Sequence, residues 1–170
     1  MAITYTKIAT ASASGTNVLA FTSIPQTYTD LAIKVIARGQ SENTTYTNLQ
    51  FNNSSANVSS LNLNALTASS VNSYSYTTQS LEIAGQQVYL WATGFSTVDY
   101  YVANYTSTTA NKVIFSESAA AGTIGNTNYL GFTGTLFSSN TAITSIRIFA
   151  GSVDTFATNT QAVLYGIKNA

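Results

Sequence analysis

At 170 residues the chain suits one domain, large enough to bury roughly 70% of the surface its unfolded form exposes. It contains no Cys and no His, which excludes disulfides, thiolate or imidazole catalysis and the usual zinc sites. Six Lys and Arg balance six Asp and Glu, and at 7% charged residues the chain holds too few cations to bind nucleic acid by counterion release.

In chain order, the opening "MAITYTKIATASASG" has no apolar run behind a basic stretch, so no signal peptide is expected, and no membrane-spanning segment is expected anywhere. Residues 1–15 read as an N-terminal arm of a single 1–170 domain, with "ITYTKIA" as a strand and "ASASG" as a loop. After the strand "NVLAF", Pro25 in "IPQTYTD" fixes φ ahead of the next strand without removing a ladder donor. That strand sets Leu31, Ile33, Val35 and Ala37 against Ala32, Lys34, Ile36 and Arg38, and Gly39 ends it.

The same period recurs in "YTNLQF", with Leu49 and Phe51 opposite Gln50. "FNNSSANVSS" reads as an ordered loop. In "SLNLNAL" the apolar set Leu61, Leu63 and Ala65 is expected in the core, with Asn62 and Asn64 facing water. Tyr74 and Tyr76 share a face of "VNSYSYT". "SLEIA" is a further candidate strand, and in "QQVYLWA" Tyr89 and Trp91 lie on one face while Val88 and Leu90 occupy the other. A strand apolar on both sides needs cover beyond its own sandwich, from a loop, an arm or another subunit.

"VDYYV" gives Val98, Tyr100 and Val102 to the core and leaves Tyr101 outside beside Asp99. "KVIF" precedes "SESAAAGTIGN", whose small residues read as a loop over 116–126, and "NYLGFTGTLF", "AITSIRIFA" and "QAVLYGIK" complete the set. About ten to twelve short strands with no helical period predict an all-β fold, a two-sheet antiparallel sandwich of jelly-roll type.

The chemistry is sparse. Without His or Cys neither common triad can be built, and no calcium-loop or phosphate-binding pattern occurs. Asp30, Glu42, Glu82, Asp99, Glu117 and Asp154 are scattered, and solvated loop or strand-edge positions are expected for them. No catalytic residue, metal ligand or cofactor is predicted, and the chain reads as a non-enzyme. The aromatic residues carry more: Tyr89, Trp91, Tyr101, Tyr74 and Tyr76 are the candidate interface, because a tyrosine ring can pack while its hydroxyl meets water or a partner.

"FTSIPQTYTDLAIKVIARG", "LQFNNSSANVSSLNL" and the ending "AITSIRIFAGSVDTFATNTQAVLYGIKNA" together resemble small virion structural proteins of tailed bacteriophages. The resemblance covers the first third and last sixth of the chain. It implies a jelly-roll-like domain on the virion, either a head decoration (cement) protein or a module of a tail fibre or spike. For decoration the implied partners are the major capsid protein and further copies of the chain, as a homotrimer; a tail module implies a glycan receptor instead. The matching positions are implied to be architectural: Pro25 as a turn, Leu31 and Ile33 as core, Tyr165 and Ile167 as the partner strand.

Overall fold

The computed structural model describes residues 3–13, 15–40, 47–54, 58–66, 71–78, 94–121, 128–151 and 155–169. Among them there are eleven strands and no helix. These are β1 (Ile3–Ser12), β2 (Val18–Phe21), β3 (Asp30–Ala37), β4 (Thr47–Phe51), β5 (Val58–Leu66), β6 (Val71–Thr78), β7 (Ser96–Val102), β8 (Lys112–Ala121), β9 (Asn128–Phe137), β10 (Ile146–Ala150) and β11 (Gln161–Asn169). Eight make one sheet in the order β1-β11-β3-β7-β8-β9-β5-β6, and three make a second in the order β2-β10-β4. Every pairing is antiparallel. The chain is an all-β sandwich, as its period-two pattern predicts.

The core lies between the small sheet and the near half of the large one. Leu31, Ile33 and Val35 of β3, Val98, Tyr100 and Val102 of β7, and Ala162 and Leu164 of β11 point inward. Leu19 and Phe21 of β2, Ile146 and Ile148 of β10 and Leu49 and Phe51 of β4 meet them from the other side. Phe51 also reaches Phe137 at the end of β9, with ring centroids 5.3 Å apart. Each such side chain contributes roughly 1.5–3 kcal/mol on leaving water, which is the main force holding the layers together.

The stretches between strands are held by side chains as well as backbone. Pro25 is trans, and its carbonyl accepts the Tyr105 hydroxyl. Gln26 Nε2 donates to the Ile24 and Ile143 carbonyls at 2.9 and 3.0 Å, so the turn before β3 is tied to the segment entering β10. Asn52, at a left-handed φ of 52°, donates to the Ala142 carbonyl at 2.8 Å and accepts from the Thr144 amide at 2.8 Å. Tyr28 lays its ring on Gly166, where a Cβ would fall inside the ring, and the Lys168 ammonium sits 5.8 Å above that ring. The segments "QTYTD" and "LYGIK" are therefore mated: β11 pairs β3, with Tyr165 opposite Ala32 and Ile167 opposite Asp30.

Three expectations are corrected. In β5 the assignment of faces is reversed: Ser60, Asn62 and Asn64 are buried, while Leu61 and Leu63 are 71% and 48% exposed. Alternation says which residues share a face and leaves open which face points inward. The answer comes from β9, whose Thr133 donates to Asn62 Oδ1 at 2.5 Å and whose Thr135 hydroxyl lies 2.9 Å from that of Ser60. Second, residues 116–121, expected in a loop, continue β8, because the ladders to β7 and β9 run on through them with the small Ser116, Ser118 and Ala120 turned inward. Third, Asp30 is 5% exposed rather than solvated; its carboxylate is consumed by two hydrogen bonds described below.

Candidate functional site

The outer face of the large sheet, turned away from the small one, is the part of the surface that the core does not explain. One row across it runs Tyr101, Phe115, Gly134, Leu61 and Ser75, from β7 through β8, β9 and β5 to β6. The next runs Lys34, Asp99, Glu117, Phe132, Leu63 and Ser73, starting one strand earlier on β3. Leu130, Leu136 and Val113 are exposed on the same face. The Phe115 and Phe132 rings stack at 6.4 Å and 29°. Gly134 leaves a dent beside them, since a Cβ there would meet nothing within 4 Å. With Leu61, Leu63, Ser73 and Ser75 the dent forms an open groove of about 460 Å³.

The two sides of the far half, β8, β9, β5 and β6, carry an unusual division of polarity. Inward, beside the buried apolar Val58, Ile114, Ala120, Tyr129 and Phe137, lies a polar group of Ser116, Ser118, Thr133, Thr135, Ser60, Asn62 and Asn64, all buried, and Asn62 Nδ2 and Ser118 Oγ have no hydrogen-bond partner. Outward lie leucines and phenylalanines. An isolated sandwich normally reverses this arrangement, because exposed apolar area costs about 25 cal/mol per Å² and an unmade buried hydrogen bond about 1–3 kcal/mol.

Charge on the face is carried by its near half and the adjoining strand β8, and is absent from β9, β5 and β6. The Lys34 ammonium pairs with Asp99, and that hydrogen bond raises the lysine above its ordinary range. Glu117 lies directly opposite Asp99. These two carboxylates, 18 residues apart in sequence, are thus brought side by side, the pair among the described residues on which a two-carboxylate hydrolysis would rest. They line an open groove of about 490 Å³ together with Lys34, Ile36, Leu130 and Phe132, and Glu117 is exposed there. Among the described residues no group of three or more acidic or imidazole side chains is placed to hold a metal.

Tyr101, expected outside, is 39% exposed, yet its hydroxyl is not free. It donates to Asp30 Oδ2 at 2.7 Å, and the Asn104 amide donates to Asp30 Oδ1 at 2.7 Å. Burial of the hydroxyl, followed by its bond to the Asp30 carboxylate, pushes the phenol up to about 12. The ring edge faces solvent and the polar tip is structural, so Tyr101 borders the face without offering a donor to a ligand. Tyr89 and Trp91 lie outside the described residues, as do the side chains of Tyr74 and Tyr76, whose backbones pair with Asn62 and Ser60. Phe115, Phe132, Leu130, Leu136 and the Gly134 dent escape a reading by residue type. The available signal was the run of Thr133 and Thr135 alternating with apolar residues in "NYLGFTGTLF", once the threonines are known to face inward.

No family model matches the chain, and no curated protein or solved structure matches it either.

Proposed function

We propose that the chain is a non-enzymatic structural protein of a tailed-phage virion, one that decorates the capsid shell and stabilises it. The observation that carries the reading is the apolar outer face: a surface of leucine and phenylalanine on a sheet with few charges suits permanent contact with protein. Neutral composition agrees, since a contact made of apolar area and hydrogen bonds is barely screened by salt and holds in varied media. The resemblance of the segments around Pro25 and Gly166 to phage virion proteins supplies the setting.

Copy number on purified particles, read by quantitative mass spectrometry, tests the proposal. Hundreds of copies per head, and a shell that ruptures at lower temperature when the protein is missing, are expected. A handful of copies at the tail would overturn it.

One observation favours a second reading, a carbohydrate-binding module of a tail fibre or spike. The stacked, exposed Phe115 and Phe132 rings adjoin Asp99 and Glu117, and aromatic platforms beside carboxylates take sugar rings and their hydroxyls. Glycan-array binding that disappears in Phe132→Ala supports this module; a silent array removes it.

A further inference from the structure

We infer that the outer face centred on β8, β9, β5 and β6 is covered by a second copy of this chain, packed sheet on sheet about a two-fold axis. The inference rests on the reading above in taking the face as a protein contact, and it names the occupant.

Area argues first. Exposed large apolar side chains run across these four strands from Val113 and Phe115 of β8 to Val71 of β6. At roughly 200 Å² for each when fully exposed, their exposed fractions amount to on the order of 1,000 Å². The largest patch on a typical monomer is about 300–600 Å², and a stable interface takes about 800 Å² from each partner.

Charge argues for a like partner. β9, β5 and β6 contain no Asp, Glu, Lys or Arg, Glu117 of β8 stands at the border of the face beside Asp99, and the whole chain balances six positive against six negative residues. Two copies meet there without repulsion, whereas a partner selected by its charge finds nothing to hold.

Relief agrees with both. Phe115, Phe132 and Leu61 project beside the Gly134 dent and the short side chains of Ser73 and Ser75. Stacked sheets about 10 Å apart need this interdigitation of large and small. In a two-fold contact every projection meets its complement twice, and the pair closes with neither patch left in water. The contact yields a dimer, where the resemblance implied a trimer.

Sedimentation equilibrium of the full chain between about 1 and 100 µM tests the inference. Wild type is expected as a dimer that dissociates on dilution. Leu61→Lys and Gly134→Lys each place a cation in the contact, and each is expected to weaken dimerisation about 100-fold or more. Circular dichroism confirms that the monomers stay folded, and Gly134→Lys is a gentle probe because its Cβ enters empty space.

The absence of cysteine provides a second readout that needs no lysine variant. Leu130→Cys is expected to react with a maleimide in dilute solution and to be protected as concentration rises. A wild-type chain that is monomeric throughout, a monomer–trimer equilibrium, dimers indifferent to both lysine variants, or labelling independent of concentration would each overturn the inference. A monomer that still decorates heads would sink the dimer and leave the decoration reading standing; a dimer absent from heads would do the reverse.

Discussion

Gly166 and Tyr28 show how a single residue type can be demanded by packing. The Tyr28 ring occupies the volume that any Cβ at 166 would need. Gly166→Ala is expected to destabilise the chain by roughly 1–3 kcal/mol as the ring is displaced. Unfolding in urea checks this, and adding Tyr28→Ala should recover most of the loss that the alanine at 166 causes. Asp30 is the second case. Asp30→Ala strands the Asn104 amide and the Tyr101 hydroxyl together and should cost about 2–4 kcal/mol, while Tyr101→Phe removes one bond and should cost about 1–2 kcal/mol. Neither demand was visible from residue type. A glycine in a strand and an aspartate before one read as ordinary until the chain brings Tyr28, Tyr101 and Asn104 to them.

At the scale of the element, β3 and β7 were legible down to which side chain enters the core, and β5 was legible only up to a reflection. All three alternate equally well. In β3 and β7 the apolar set wins the interior against charged or mixed residues. In β5 the asparagines win because β9 offers them hydroxyls, a fact that resides in another strand. The consequence is measurable. Leu31→Ala, at a fully buried position, should cost about 2–5 kcal/mol, whereas Leu61→Ala should change monomer stability by no more than about 0.5 kcal/mol. A comparable loss from both, measured by denaturant unfolding of the dilute monomer, would mean that Leu61 is buried after all. The end of β8 was missed for a related reason: Ser and Ala bury little, so their strand is imposed by the ladders on either side.

For the whole molecule, the tyrosines set the alkaline limit. Burial pushes the Tyr100 phenol up to about 12, Tyr101 reaches about 12 by burial and its Asp30 bond, and Tyr105 is raised by burial. An unfolded tyrosine ionises near about 10, so the folded chain keeps protons that the unfolded chain releases. Their contribution is fully present below pH 10 or so and is lost as pH climbs towards about 12. Lys34, raised by Asp99, acts in the same direction; Lys112 is lowered by burial and opposes it as a single group. Phenolate absorbance and circular dichroism followed together should show part of the tyrosine population ionising only as the sheets unfold. Complete titration near pH 10 with the fold intact would contradict this.

The amino-acid order by itself determined most of the described strands, their period and the all-β sandwich, because steric preference and alternation act over neighbouring residues. It also determined the scarcity of reactive groups, since composition does not depend on folding. Which face of β5 and β8 turns inward, the meeting of Asp99 with Glu117, and the gathering of separate apolar residues into one exposed surface were decided by the tertiary structure. Each depends on partners in other strands, and burial is a property of the assembled layers that no single strand possesses.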